Sequence, residues 1–273
     1  MLQRNLVHKN IVRMYYVFVE KNATYIVLGF VPCGSVMDLM KRRREEKKSL
    51  KMCEIWYFFT QMIVGLQHIH NNNFCHNDVK PQNMLITPER VLKISDFGEC
   101  EELKLFDLEE TLKPKSVPHG TILFFSPQMA SGEKSSRIKS DIWAAGVSLY
   151  CMLTDGKYPF HDENIMQLLN KIEKGDFEIP SLKDEDLRDL LGKILEKDEG
   201  ARWTTEKILQ HNWIKKNEEY YTKQIQILNH KEPLVNKWKT FSILPYVAKF
   251  HSDEEEKQSE EEKSEEAPKV NVW

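Results

Sequence analysis

Four residues between positions 78 and 96 carry the side chains needed to move a phosphoryl group. They lie in His76-Asn77-Asp78-Val79-Lys80-Pro81-Gln82-Asn83, with Asp96-Phe97-Gly98 beginning thirteen residues after Asn83. Transfer to a hydroxyl requires a carboxylate to accept the proton, a cation beside the moving phosphate, and oxygen ligands for Mg2+. Asp78 is the candidate base and Lys80 the candidate cation, placed to offset charge on the phosphate in the transition state. Asn83 and Asp96 are the candidate metal ligands. Each has an ordinary explanation when taken alone: an aspartate in a polar loop, an Asn or Asp at a turn. The argument rests on their joint spacing. His76 and Phe97 read as packing residues rather than chemical groups.

The elements that must position these residues follow from patterning. Residues 10–20 and 23–31 are rich in Val, Ile, Tyr and Phe and predict two strands around a turn at Glu20-Lys21-Asn22. Gly29 to Gly34, with Pro32, punctuates a crossing segment. Val36 to about Arg44 predicts one helix and Cys53 to His70 a longer one. The apolar positions of the longer helix, Ile55, Phe58, Phe59, Met62, Ile63, Leu66 and Ile69, recur every three to four residues. Met84-Leu85-Ile86 and Val91-Leu92-Lys93-Ile94 predict short strands around Pro88, so the candidate loop lies between a long helix and a hairpin. Ser140 to Leu153 predicts a buried helix, and further helical patterns cover about 162–174, 184–196 and 204–216. From 251 to 268 Glu, Ser and Lys dominate, too polar a stretch to fold alone. Ser252, Ser259 and Ser264 there precede acidic residues and resemble sites for an acid-directed kinase, although a solvating tail is the stronger reading.

Composition narrows the class. The 273 residues are 41% hydrophobic and 30% charged, with a net charge of −3, values ordinary for a globular protein. Nothing global points to nucleic acid. The basic run Lys41-Arg42-Arg43-Arg44 is followed by two glutamates and two lysines, which favours a solvated helix face over a nucleic-acid contact. Cys33, Cys53, Cys75, Cys100 and Cys151 are scattered with no Cys-x-x-Cys pair, so free thiols are expected rather than a zinc site or disulfide framework. No apolar run approaches a membrane span and no signal-peptide core opens the chain. A cytoplasmic protein is the expectation, with the nucleus left open.

The spacing H-x-D-x-K-x-x-N followed by D-F-G resembles the catalytic and metal loops of eukaryotic protein kinases, and the resemblance extends over about residues 8–216. His8-Lys9-Asn10-Ile11-Val12 resembles the family's entry to its fourth strand. Val27-Leu28-Gly29-Phe30-Val31 resembles its hinge, Gly120-Thr121 through Ser126-Pro127-Gln128 the end of its activation segment, and Asp141 to Val147 its central helix. Within the family the likeness is to the liver kinase B type and the calcium/calmodulin group, carried by Gly120 to Phe124, Asp141 to Tyr150, Tyr158-Pro159-Phe160 and Asp162 to Ile165. It implies an α+β, two-lobed protein-kinase-like fold with a truncated β small lobe and a mainly α large lobe. The implied divisions are 1–34 (small-lobe remnant and hinge), 35–216 (large lobe), 217–250 (extension) and 251–273 (acidic tail). It also implies ATP and Mg2+ as cofactors and a protein Ser or Thr as acceptor, since Lys80 followed by Pro81 resembles serine/threonine kinases. Backbone groups of Gly29 and Val31 would bond the adenine, Leu85 would pack beneath it, and Leu28 would stand at the gatekeeper place as a core residue facing a pocket. Thr121 would bond Asp78 and Lys80, and Asp141 would bond the catalytic-loop backbone. A pseudokinase and a helical-repeat scaffold are partners implied by the same resemblance. Neither nucleic acid nor membrane is expected as a partner.

Three departures qualify that picture. The family's glycine-rich loop, its third-strand lysine and the helix glutamate that pairs with this lysine have no counterpart upstream of His8. The expectation is an N-terminally truncated kinase whose small lobe has an open edge and little stability. A catalytically impaired pseudokinase or scaffold acting through protein binding is the alternative. Asn77 replaces the arginine that would bind a phosphorylated activation loop, so activity should not depend on phosphorylation at sites such as Thr111 or Ser116. Gln128 replaces the glutamate that would pair with Arg202, which predicts a partly unpaired buried guanidinium.

Overall fold

The computed structural model describes residues 2–21, 23–103, 122–180 and 182–234. The chain divides into two units, Met1–Val235 and Asn236–Trp273, and every described residue belongs to the first. Thr111, Ser116, Gly120, Thr121 and the acidic tail, all invoked above, lie outside the described residues.

The described part is α+β, with its strands before residue 103 and mostly helices after it. β1 (Met14–Glu20) and β2 (Ala23–Leu28) form an antiparallel hairpin with Tyr16 opposite Val27 and Phe18 opposite Tyr25. Its apolar side chains remain largely in solvent; Tyr16, Val19 and Ile26 are 71%, 68% and 54% exposed. Among the described residues each of these strands pairs only with the other. The chain before the hairpin is better anchored. Val12 N–H donates to Ile94 O and Ile94 N–H to Asn10 O, extending the β4 (Met84–Ile86) and β5 (Leu92–Ile94) hairpin by one segment. A third antiparallel pair joins β3 (Phe74–Cys75) to β6 (Glu101–Glu102). Patterning gave no sign of these two-residue strands.

The helical core is organised on α2 (Met52–Asn71) and α4 (Arg137–Leu153). The predicted apolar stripe of α2 is buried along its whole length, from Ile55 to Ile69. α4 is buried on nearly all sides, as its continuous apolar sequence requires. α1 (Val36–Glu45) begins with a capping box, in which Ser35 Oγ accepts from Asp38 N–H and Asp38 Oδ2 accepts from Ser35 N–H. α3 (Pro127–Ser131), α5 (Ile165–Lys174) and α6 (Glu185–Ile194) complete this side of the chain. The pattern expected over 204–216 is two helices, α7 (Thr205–Leu209) and α8 (Asn212–Lys231). α8 runs well past residue 216 because its later turns still have a surface to cover, with Ile225 and Leu228 buried against Cys53. Trp56 Nε1 on α2 donates to Ile214 O at 3.2 Å.

The basic run on α1 is only partly the solvated face its composition suggested, with Lys41 and Arg44 exposed, Arg42 half-buried and Arg43 buried. Arg43 is buried between Glu54 (3.3 Å) and Glu232 (3.4 Å), Arg42 donates to Cys33 O, and Arg44 donates to Asp155 O. Arg90 is fully buried. Its Nε meets Glu54 Oε1 at 3.2 Å, Nη1 meets Asn229 Oδ1 at 2.6 Å, and Nη2 meets Glu232 O at 2.8 Å. The end of α8 is thereby tied to α1, α2 and the β4–β5 turn. The five cysteines are free thiols. Among the described residues no helix is long and apolar enough to cross a membrane.

Candidate active site

Asp141, near the start of α4, sets the entry to the loop that holds the candidate base. Its Oδ2 accepts from His76 N–H (2.8 Å) and from His70 Nε2 (2.9 Å), and its Oδ1 accepts from Asn77 N–H (2.8 Å). A buried carboxylate with three donors is the satisfied arrangement that burial demands, and it performs the backbone-holding role expected of this residue. His70, at the end of α2, was not anticipated. Nothing in its spacing marks it, because its partner lies 71 positions away.

His76 is completely buried and uses both ring nitrogens. Nδ1 accepts from Asp78 N–H at 3.2 Å, and Nε2–H donates to Ser95 O at 3.0 Å. The ring is thus neutral, and burial holds its pKa below the ordinary 6.5. It packs edge-on against Phe97, with ring centroids 5.0 Å apart. Both residues are structural, as their types and setting suggested.

Asn77 takes a left-handed conformation (φ 64°), which asparagine tolerates better than most residues, and this turns the chain so that Asp78 follows on the open side. Pro81 then starts a single 3-10 turn, Pro81–Asn83, closed by Asn83 N–H to Lys80 O at 3.0 Å. That turn returns Asn83 to Asp78. Asn83 Nδ2 donates to Asp78 Oδ2 (2.8 Å) and Asp78 O (2.9 Å), and Lys80 Nζ lies 2.9 and 2.7 Å from the two carboxylate oxygens. Three of the four predicted residues thus converge on one carboxylate, which is 11% exposed.

Asp96 joins them through Ser95, whose N–H and Oγ both donate to Asn83 O at 2.9 Å. Asp96 is exposed and left-handed (φ 62°), and its Oδ1 accepts a long 3.4 Å bond from Gly98 N–H. The donor set suits Mg2+. Asn83 directs both amide hydrogens to Asp78, which leaves its Oδ1 as the available group, and Asp96 adds a carboxylate. Mg2+ ordinarily takes one or two protein oxygens and completes its shell with water and phosphate. Among the described residues no cluster of three His, Cys, Asp or Glu suits a metal held by protein alone.

The segment resembling a hinge lies beside this loop. Cys33 N–H donates to Ile86 O (3.2 Å), Ile86 N–H donates to Gly34 O (2.9 Å), and Ser35 bridges to Leu85. Gly29 N–H is engaged with Arg13 O at 2.7 Å, so a bond from Gly29 to a base would come through its carbonyl. Val31 is buried and Leu85 half-buried. Leu28 is not the core residue expected at that place. It is 43% exposed, because among the described residues β2 has only β1 beside it.

Arg202 is also not partly unpaired, as the substitution at 128 suggested. Its Nη2 donates to Gln128 Oε1 (3.0 Å) and Lys197 O (3.3 Å), Nε to Glu196 O (2.9 Å) and Nη1 to Lys139 O (3.0 Å), while the guanidinium lies over the Trp143 ring. Backbone carbonyls replace the missing carboxylate. Burial lowers the pKa of Arg202 to about 10, which leaves it charged at neutral pH.

A carboxylate held by a lysine and an asparagine lies next to an aspartate on a separate strand end, the arrangement expected of a candidate phosphotransferase site. Residues 1–214 match the family model of the protein kinase domain, and the chain belongs to that family. It is 34% identical to serine/threonine-protein kinase STK11 of Mus musculus over 263 residues, covering 95% of this chain and 58% of the relative. The Gallus gallus protein of the same name is 36% identical over 258 residues, covering 93% of this chain and 57% of the relative. CBL-interacting protein kinase 5 of Oryza sativa subsp. japonica is 32% identical over 218 residues, 79% of this chain and 45% of the relative. The chain therefore spans little more than half the length of the first of these relatives.

Proposed function

We propose that this protein is a serine/threonine protein kinase that transfers the γ-phosphate of Mg-ATP to a protein hydroxyl. The observation that carries the reading is the convergence of Lys80 and Asn83 on the Asp78 carboxylate, with Asp96 fixed next to Asn83 by Ser95. Asp78 accepts the proton of the attacking hydroxyl, and Lys80 offsets the charge of the moving phosphoryl group. Asn83 and Asp96 would supply oxygen ligands to Mg2+, which would offset negative charge on the nucleotide phosphates. Leu28, Gly29, Val31 and Leu85 receive the adenine. The name serine/threonine-protein kinase carried by the Mus musculus and Gallus gallus relatives supports Ser or Thr over Tyr as the acceptor. A cytoplasmic location is our reading.

The test is phosphate transfer from labelled ATP to a general Ser/Thr protein substrate by the full chain and by Asp78→Asn. Loss of a general base should lower the rate by roughly 10²–10⁴-fold. Mg-ATP should also raise the melting temperature of the parent but not of Asp96→Asn. Equal transfer by Asp78→Asn and the parent would sink the reading.

A further inference from the structure

In addition to forming the turn before Asp78, Asn77 reaches the other strand of the site. Its Nδ2 donates to Glu99 O at 2.8 Å, one residue beyond Asp96-Phe97-Gly98. The bond belongs to a series along the same edge. Cys75 lies opposite Glu101 and Phe74 opposite Glu102 in the β3–β6 pair, Cys75 Sγ donates to Glu101 O at 3.5 Å, and Leu103 N–H donates to Asn73 O at 2.7 Å. Residues 99–103, the exit of the metal loop, are thus fastened to residues 73–77, the entry of the base-bearing loop. Each bond uses backbone or neutral side-chain groups. Cys100 N–H closes the turn back to Phe97 O at 3.2 Å, so fixing Glu99 also fixes the curvature in which Asp96 sits.

We infer that Asn77 is a positioning residue for the metal ligand Asp96. Its carboxamide staples the metal-loop exit to the loop carrying Asp78, so that the two metal ligands keep their separation without a phosphorylated segment to hold them. The inference rests on the kinase reading above. Asparagine suits the task because it combines a donor of the right length with tolerance of the left-handed backbone that aims it. The bond is short but partly solvated, so its loss should change metal affinity moderately rather than abolish it.

Two variants separate the missing donor from side effects. Asn77→Gly keeps the left-handed backbone and removes the carboxamide, whereas Asn77→Asp keeps the shape, loses the donor and adds a negative charge that alone would tighten Mg2+. For the full chain, the Mg2+ concentration giving half-maximal stabilisation by ATP should rise about fivefold in Asn77→Gly, the equivalent of one ordinary hydrogen bond, and by a smaller factor in Asn77→Asp, where the added charge offsets part of the loss. Hydrogen exchange at the Cys100 and Leu103 amides should accelerate in both variants, a readout that needs no nucleotide. Unchanged exchange would overturn the staple. Faster exchange with an unchanged Mg2+ midpoint would overturn its positioning role. A parent that shows no Mg-dependent response to ATP would instead overturn the kinase reading and the positioning role with it, leaving exchange to report on the staple.

Discussion

Gln128 and the backbone carbonyls of Lys139, Glu196 and Lys197 together satisfy the buried charge of Arg202 without an ion pair. Gln128 Oε1 accepts from Arg202 while its Nε2 donates to Lys197 O at 2.8 Å. Replacing Gln128 with Glu would give Arg202 a carboxylate but would also turn an anionic oxygen toward the Lys197 carbonyl. The exchange gains and loses a contact of similar size, about 1 kcal/mol each. Gln128→Glu should therefore fail to raise the melting temperature, whereas a clear rise would mean that Arg202 lacks compensation in the parent. His76 gives a second prediction. Its folded pKa lies below the ordinary 6.5, so between those two values the unfolded chain binds the proton and the folded chain does not. The neutral ring's contribution is complete above about pH 6.5 and declines as pH falls toward the folded value. Melting temperature should drop between pH 7.5 and 5.5, and His76→Gln should flatten part of that drop. That the four candidate residues would lie together was legible in the sequence, because the proposed chemistry restricts each position to one or two residue types at fixed spacing. The satisfaction of Arg202 was not, since its partners are mostly backbone carbonyls that no side-chain identity reveals.

Among the elements, α2 is the one whose placement the sequence specified most fully, because an amphipathic stripe has to face the core. At Gly65 the helix passes close against its neighbours. A Cβ there would stand 2.7 Å from Ile94 Cδ1 and 3.3 Å from Asn10 O, where β5 and the segment entering β1 cross the helix. Ile94 is itself buried and has little room to yield. Gly65→Ala should therefore destabilise by roughly 1–3 kcal/mol, the cost of overpacking, despite the gain of about 1 kcal/mol in helix propensity. A denaturant midpoint that rises would show that Ile94 can rotate away. The short strands β3 and β6 could not be read from periodicity, since two residues cannot display one. The length of α8 was missed because its late turns are held by sparse apolar contacts and by polar bonds to distant residues.

For the molecule as a whole, the matched family region ends at residue 214, but the buried network does not. Arg90 and Glu54 are both fully buried, and Arg43, Asn229 and Glu232 complete their shell. Removing Arg90 leaves the buried Glu54 carboxylate with Arg43 alone of its two cationic partners, at a cost of roughly 3–5 kcal/mol. Arg90→Met should lower the melting temperature by roughly 6–20 °C for a unit of this size. Adding Glu54→Gln should recover part of the loss, and fully additive losses would argue against direct coupling.

The order in which a ribosome delivers these groups gives the network a further consequence. Arg90 precedes Asn229 by 139 residues. At roughly 5–20 residues per second, about 7–28 s of translation separate the guanidinium from its last partners. Throughout that interval Glu54 is Arg90's one available carboxylate, and the Cys53 surface that α8 later covers stays bare. The nascent protein can close this face only after Asn229 and Glu232 have been made, so a helix outside the candidate site sets the moment at which this face stops needing protection.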